Sequence, residues 1–197
     1  MDILSYFAEH FDLPILDWIA ANLRCSFLDF VMPLITLLGD AGIFWIAVSA
    51  ILLLVPKHRK TGLSMGISLL IGLVVCNMIL KPWVGRIRPY DYQFIHFGKT
   101  IELLVATPHD FSFPSGHTIA SFEAAVVLLK NSKKMGIPAM ILAVLIAFSR
   151  LYLYVHYPTD VIASIILGTL FAIIGDALAG LIAPKLRFGK RGKYEAR

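Results

Sequence analysis

The sequence predicts an all-α integral membrane protein, a bundle of six transmembrane helices preceded by an amphipathic segment. Two observations support this prediction. Of the 197 residues, 58% are hydrophobic and only 16% are charged, far from the composition of a soluble domain. The apolar residues also come in long runs separated by short polar or basic stretches, which is typical of several membrane spans. We therefore expect a single domain whose membrane part covers residues 26–184.

The first 25 residues differ from the rest, because apolar and polar side chains alternate there at roughly helical spacing. Pro14 interrupts the pattern, so residues 1–25 should form two short helices rather than one. Such a segment lies on the membrane surface or against the bundle. Asp2, Glu9 and Asp12 with no basic start argue against a cleaved signal peptide.

Six apolar stretches are candidate spans. They cover residues 26–39, 43–55, 62–80, about 118–129, 137–154 and 158–183. The first is short for a hydrocarbon layer of about 30 Å, and it carries Asp29. The long connection 82–113 between the third and fourth spans is a candidate lid, since loops of that length usually have a role. Pro158 suits the first turn of the sixth helix.

Basic residues predict the orientation of the spans. Clusters at 57–60, 130–134 and 185–193 follow the second, fourth and sixth spans. Because basic loops stay in the cytoplasm, both termini and the basic tail 185–197 should be cytoplasmic. Three polar blocks then fall together on the extracytoplasmic face, at residues 81–89, 114–117 and 149–160.

Gathered on one face, the three blocks form a candidate phosphate site. Arginine forks match phosphate oxygens bidentately, and lysine acts as a point charge. The start of the fourth helix adds free backbone N–H groups, and phosphoryl transfer needs mainly positioning and charge stabilisation. The candidate phosphate ligands are Lys81, Arg88, Ser115, Gly116 and Arg150, with Arg86 as a possible addition.

Two histidines supply the remaining chemistry. A neutral imidazole can attack phosphorus, and a second one can protonate the leaving oxygen and then activate water. His156 is the candidate nucleophile, because Asp160 four residues later can accept from one ring nitrogen and leave the other free. Tyr157 precedes a proline, which places His156 in a turn. His117 is then the candidate acid and base.

The polar blocks resemble, in spacing and order, the three signatures of the type 2 phosphatidic acid phosphatase family. The matching residues are Lys81 followed after six residues by Arg88-Pro89, then Pro114-Ser115-Gly116-His117, then Ser149-Arg150 followed after five residues by His156 and after three more by Asp160. The resemblance covers roughly residues 36–183. It implies a six-helix membrane fold similar to the core of the vanadium haloperoxidases.

The resemblance also implies an activity, the hydrolysis of a lipid phosphate or diphosphate through a phosphohistidine, without a metal or other cofactor. The compact chain is similar to undecaprenyl-diphosphate phosphatases first, and to phosphatidylglycerophosphate phosphatases next; phosphatidic acid is a further candidate substrate. The expected partner is therefore a lipid in the bilayer, and no nucleic acid is expected despite the net charge of +5. The oligomeric state is not predicted.

Several alternatives stay open at this point. A lipid phosphotransferase shares the covalent half-reaction, and a non-catalytic phospholipid-binding protein shares the cations. A serine hydrolase triad of Ser115, His156 and Asp160 lacks the glycine-serine-glycine elbow. A metal site that adds His109 and Asp110 matches no zinc spacing. The sequence assigns no role to two carboxylates inside the spans, Glu123 and Asp176; Glu123 lies roughly 240° around the helix from His117.

Overall fold

The computed structural model describes residues 3–183, and these residues form a bundle of helices without strands. The all-α class is therefore confirmed, while the predicted tail 185–197 lies outside the described residues. The helices are α1 Ile3–Phe7, α2 Leu13–Asn22, α3 Ser26–Leu37, α4 Ile43–Leu54, α5 Arg59–Gly72, α6 Lys81–Val84, α7 Pro89–Phe97, α8 Gly116–Asn131, α9 Lys133–Tyr152 and α10 Pro158–Ile182. Two π-helical turns, Ala8–Asp12 and Leu73–Leu80, join α1 to α2 and α5 to α6.

Four described segments are long and apolar enough to cross a membrane: Ser26–Leu54, Pro56–Phe97, Lys133–Tyr152 and Pro158–Ile182. The chain is therefore a multi-pass membrane protein. The first segment contains the first two predicted spans, which α3 and α4 occupy as helices of 12 residues each on either side of the turn Asp40–Gly42. The predicted fourth span is α8, whose 16 residues make it shorter than these four segments.

The connection predicted at residues 82–113 is partly helical. The third span does not end at Lys81-Pro82, since the π-helical turn passes directly into α6 and proline is tolerated in a first helical turn. Helix α7 follows at Pro89–Phe97 and ends where Gly98 takes a left-handed conformation with φ of 63°. A proline at the start and a glycine just past the end are typical of a helix. The polar composition of the segment nevertheless favoured a loop.

Helix α8 is the centre of the bundle, and α5, α9 and α10 pack around it. Small residues let these helices approach closely, as Ala124 and Ala125 of α8 are fully buried. The Trp45 ring of α4 reaches the same core and donates a hydrogen bond of 3.0 Å to Ser121 Oγ. The element that carries His117 is thereby held on all sides.

Asp176 joins three helices of this core. Its Oδ1 accepts from Ser64 Oγ of α5 at 2.9 Å, and its Oδ2 lies 2.6 Å from Lys130 Nζ of α8. The carboxylate of α10 therefore has a structural partner on each neighbouring helix, which sequence reasoning did not identify.

The N-terminal helices pack against the bundle, which is one of the two predicted placements. Leu13, Leu16 and Ile19 of α2 are buried in a cluster with the Tyr152–Tyr157 turn region. Pro14 lies in the first turn of α2, where the lost N–H costs nothing. Trp18 points away from the bundle and is exposed. This contact brings Asp12, at the end of the first π-helical turn, next to the start of α10.

Two glycines on α10 should respond oppositely to alanine. A Cβ at Gly175 would lie 2.8 Å from the Ser68 backbone nitrogen and closer still to its Oγ, whereas a Cβ at Gly180 would meet nothing within 4 Å. We expect Gly175→Ala to destabilise the protein by about 1–3 kcal/mol through overpacking. Gly180→Ala, the matched control, should be neutral or stabilise by up to about 1 kcal/mol. Unfolding in detergent measures both, and equal effects would contradict close packing of α5 on α10.

Candidate active site

Six of the predicted site residues line one cavity of about 890 Å³ at one end of the bundle. These residues are Lys81, Arg88, Gly116, His117, Arg150 and His156. Each comes from a helix end or a turn: α6, the residue before α7, the first turn of α8, the last turn of α9, and the turn between α9 and α10. The three polar blocks thus meet in space. Because these polar side chains come from helix ends and turns, they reach the cavity while the apolar faces of the helices stay uninterrupted.

His156 is fully buried in the turn that precedes α10. Its Nε2 lies 3.3 Å from Arg88 Nη1 on the cavity side. Burial, and then the charges of Arg88, Arg150 and Lys81, lower the pKa of His156 well below its usual value. The ring is therefore neutral at physiological pH, and a neutral imidazole keeps the lone pair that a nucleophile needs.

The other nitrogen of His156 faces Asp160. The distance from Nδ1 to Asp160 Oδ2 is 3.5 Å, longer than a normal hydrogen bond, and Nδ1 has no closer partner. Asp160 Oδ2 accepts the Tyr157 backbone N–H at 3.0 Å as part of the N-terminal cap of α10. The cap therefore fixes the carboxylate beside the imidazole. Hydrogen bonds at such sites commonly tighten when a ligand binds.

Arg86 does not line the cavity. Its guanidinium lies behind the turn that carries His156, 2.7 Å from Asp12 Oδ2 and 2.5 Å from Asp160 Oδ1, and its Cζ atom is 3.8 Å from the centre of the Tyr157 ring. Both carboxylates are completely buried. The structure thus places this predicted phosphate ligand as the partner of Asp160 and as the link from the N-terminal helices to α10.

Lys81 and Arg88 share a carboxylate that sequence reasoning did not single out as their partner. Asp110 Oδ1 accepts from Arg88 Nη2 at 2.6 Å, its backbone oxygen accepts from Arg88 Nε at 2.8 Å, and its Oδ2 pairs with Lys81 Nζ. Burial opposes ionisation of Asp110, but the two cations outweigh it and hold the pKa of Asp110 well below its usual range. Asp110 therefore stays negative and pairs with both of these candidate phosphate ligands.

His117 has a similar partner in Asp40, which follows α3. The Nε2 atom of His117 lies 2.8 Å from Asp40 Oδ1 and 3.3 Å from Arg150 Nη1. Arg150 Nη1 also donates to Thr36 Oγ1 at 2.6 Å. The sequence pattern does not single out Asp40, because an aspartate two residues before Gly42 is typical of a turn, although its position at the end of the first span places it, by parity, on the site face.

Ser115, a candidate phosphate ligand, is not among the residues that line the cavity. Its Oγ accepts hydrogen bonds from the Thr118 N–H at 3.4 Å and the Thr118 hydroxyl at 3.0 Å, which makes it the N-cap of α8. Its backbone N–H donates to Ser164 Oγ at 2.8 Å. Ser115 is fully buried and does not line the cavity, so in this structure its hydroxyl orients α8 rather than facing the anion site.

Within residues 3–183, no group of three or more His, Cys, Asp or Glu side chains is arranged to hold a metal ion. His109 and Asp110 accordingly form no such group with His117 and His156.

A sequence model described as the PAP2 superfamily matches residues 61–179. An undecaprenyl-diphosphatase of Sulfolobus acidocaldarius is 40% identical over 126 residues, which are 64% of this chain and 58% of that protein. Phosphatidylglycerophosphatase B of Bacillus subtilis is 33% identical over 156 residues, which are 72% of this chain and 64% of that protein. The matches therefore span less than two thirds of each of these relatives.

Two solved structures share the fold. The crystal structure of Aquifex aeolicus LpxE has a TM-score of 0.71 at 24% identity and covers 83% of this chain and 93% of that one. The transmembrane PAP2 type phosphatidylglycerolphosphate phosphatase of Bacillus subtilis has a TM-score of 0.67 at 25% identity and covers 99% of this chain and 90% of that one. The helical arrangement described above is thus one that known proteins adopt.

Removing the buried guanidinium of Arg86 should destabilise the protein. Arg86→Met leaves the buried Asp12 and Asp160 without their common partner, and breaking such a pair costs about 3–5 kcal/mol. Lys99→Met breaks the exposed pair with Asp17 and is the matched control, with an expected cost below about 1 kcal/mol. Unfolding in detergent compares them, and equal losses would mean that Arg86 does not organise the turn.

The carboxylate of Asp110 should compete with anions for the cavity. Asp110→Asn removes the negative charge that pairs with Lys81 and Arg88, so inorganic phosphate or orthovanadate should bind about tenfold more tightly. Isothermal titration of the detergent-solubilised protein measures the affinity. Asp91→Asn, on the exposed side of α7, is the control and should leave it unchanged. Equal affinities of Asp110→Asn and wild type would show that Asp110 does not occupy the anion site.

Proposed function

The chain belongs to the PAP2 superfamily, and we propose that it hydrolyses a lipid phosphate or diphosphate through a phosphohistidine intermediate, without a metal ion. One observation carries this proposal above all others. The neutral His156 presents Nε2 to a cavity that also holds three cations and a second histidine. A simple anion-binding site needs the cations alone.

In the first half-reaction, the phosphate displaces Asp110 from its two cations. The phosphate oxygens then bind to Lys81, Arg88 and Arg150. The His156 Nε2 lone pair attacks phosphorus, the bond from phosphorus to the leaving oxygen breaks, and His117 gives that oxygen its proton. The phosphorylated ring carries a positive charge, which Asp160 stabilises through Nδ1–H. The leaving product is the lipid alcohol or the lipid monophosphate.

In the second half-reaction, water takes the place of the leaving group. His117, now unprotonated, accepts a proton from the water, the water oxygen attacks phosphorus, and the bond to Nε2 breaks. Inorganic phosphate leaves, and both histidines regain their starting states. The Asp40 carboxylate beside His117 stabilises the protonated ring that the first half-reaction requires, and it opposes burial and the charge of Arg150, which favour the neutral ring.

The names of the relatives supply candidate substrates. Undecaprenyl diphosphate comes first because the Sulfolobus relative is described as an undecaprenyl-diphosphatase. Phosphatidylglycerophosphate comes next, from the Bacillus relative, followed by phosphatidic acid.

We further propose that six helices cross the membrane and that their core is of the vanadium haloperoxidase type. Helix length and composition indicate four crossings within the described residues. Separate crossings by the short helices α3 and α4, and a crossing by α8, would bring the number to six. The basic clusters after every second span support cytoplasmic termini and an extracytoplasmic site.

The nucleophile is the decisive test. With a chelator present, purified protein should release phosphate from these lipids, and His156→Ala should lower the rate by at least about a thousandfold because the covalent route is lost. His96→Ala is the control with unchanged rate, because the His96 ring lies on the exposed side of α7 and outside the cavity. Radiolabelled phosphate should be trapped on wild-type protein after an alkaline quench and be absent from His156→Ala.

Three outcomes would count against parts of this proposal. Full activity of His156→Ala would contradict the assigned nucleophile. Activity that requires a divalent ion would contradict the metal-free route. Transfer of the label to an added lipid alcohol rather than to water would identify a phosphotransferase.

A further inference from the structure

The cavity does not end at the cations. It continues between α3, α4, α5 and α8, where most of its lining is apolar or glycine, as at Leu37, Ile46, Leu69 and Leu73. With a phosphate bound at the cations, the lipid attached to it would extend into this deeper part, called the groove here. Chemistry in the groove therefore decides which lipids fit.

Glu123 places a carboxyl group in this mainly apolar groove. It lines the cavity, only 1% of its surface is exposed, and its Oε1 has no hydrogen-bond partner. None of the ion pairs formed within residues 3–183 includes it. A buried carboxylate without an ion-pair partner is costly at membrane depth, and this cost favours the neutral carboxylic acid. In that form it has one O–H group to donate.

The position of Glu123 relative to the phosphate site is set by helix geometry. It follows Gly116 by seven residues, about two turns, so both lie on one face of α8. It follows His117 by six residues, a rise of about 9 Å, and helical side chains tilt back toward the N-terminus. The carboxyl group therefore lies less than two turns below the phosphate site.

Two residues of the segment that faces α8 lie opposite these positions, one at the end of α5 and one in the π-helical stretch Leu73–Leu80. A Cβ at Gly72 would lie 2.8 Å from Glu123 Cδ, so glycine there leaves room for the carboxyl group. Asn77, five residues further, lies beside Gly116, where an added Cβ would be 3.3 Å from its Oδ1. The groove thus has an amide just below the phosphate site and a carboxylic acid deeper down.

We infer that Glu123 is a specificity-determining residue that donates a hydrogen bond to an ester carbonyl of a diacylglycerol-type lipid phosphate. This inference rests on the proposed function. Glycerophospholipids carry two ester carbonyls, both acceptors, within a few bonds of the phosphorus. Ether-linked lipids lack them, and a polyprenyl chain is hydrocarbon beyond its diphosphate. Only the ester-linked class can use the donor of Glu123.

Matched lipids test the inference. Phosphatidic acids with identical chains, one ester-linked and one ether-linked, are compared by kcat/KM in mixed micelles. Wild type should prefer the ester by about 3- to 30-fold, the range of one hydrogen bond within a membrane. Glu123→Gln keeps a neutral donor and should retain the preference. Glu123→Leu should bring the ratio close to one, whereas Glu102→Leu, outside the cavity, should keep the wild-type ratio.

The outcomes separate this inference from the proposed function. A wild-type ratio near one overturns it without any variant, so the test does not depend on the folding of Glu123→Leu. An unchanged ratio in Glu123→Leu also overturns it. Undecaprenyl diphosphate is assayed in the same preparations. Phosphate release from that lipid, together with equal kcat/KM for the ester-linked and ether-linked phosphatidic acids, rejects this inference alone. No release from any lipid rejects the proposed function as well.

Discussion

The site depends on one buried guanidinium. Arg86 holds Asp12 of the N-terminal helices and Asp160 of α10, and it lies against the Tyr157 ring. Two carboxylates without exposed surface require such a partner, because an isolated buried charge is too costly to keep. The same interaction aims Asp160 at His156. Stability of the fold and geometry of the candidate nucleophile thus share a single side chain.

The cations of the cavity are neutralised in a different way. Asp110 covers Lys81 and Arg88, and Asp40 lies beside His117 and the neighbouring Arg150. Unlike Asp12 and Asp160, these two carboxylates are more than half exposed, so water could solvate them if the proposed phosphate took their place. Buried carboxylates therefore support the site from behind, and exposed ones occupy its front in exchangeable pairs.

Two carboxylates within the bundle show how local surroundings decide the role of one functional group. Asp176 has a lysine and a serine partner and joins three helices. Glu123 has a glycine opposite it and an unpartnered oxygen beside an apolar groove. The first is an ion pair of the fold. The second is a donor available to a lipid. Their sequence contexts, each a single acid in an apolar run, do not distinguish them.

Much of this protein was determined by sequence alone. Long apolar runs dictate a helical membrane bundle, and the spacing of the polar blocks indicated the family, which is confirmed. Span parity placed Lys81, His117, Arg150 and His156 at one end, because successive spans must alternate in direction. These features follow from periodicity and order along the chain, which a sequence records directly.

Pairing of side chains from distant segments was decided only by tertiary structure. The sequence offers Arg86 as a possible phosphate ligand, and the structure pairs it with Asp12, 74 residues away. Ser115 looked like another, yet its hydroxyl caps α8. Asp40 and Asp110 had no visible partners at all. A charged residue in a sequence can pair with many others, and only packing shows which oppositely charged group lies within hydrogen-bond distance.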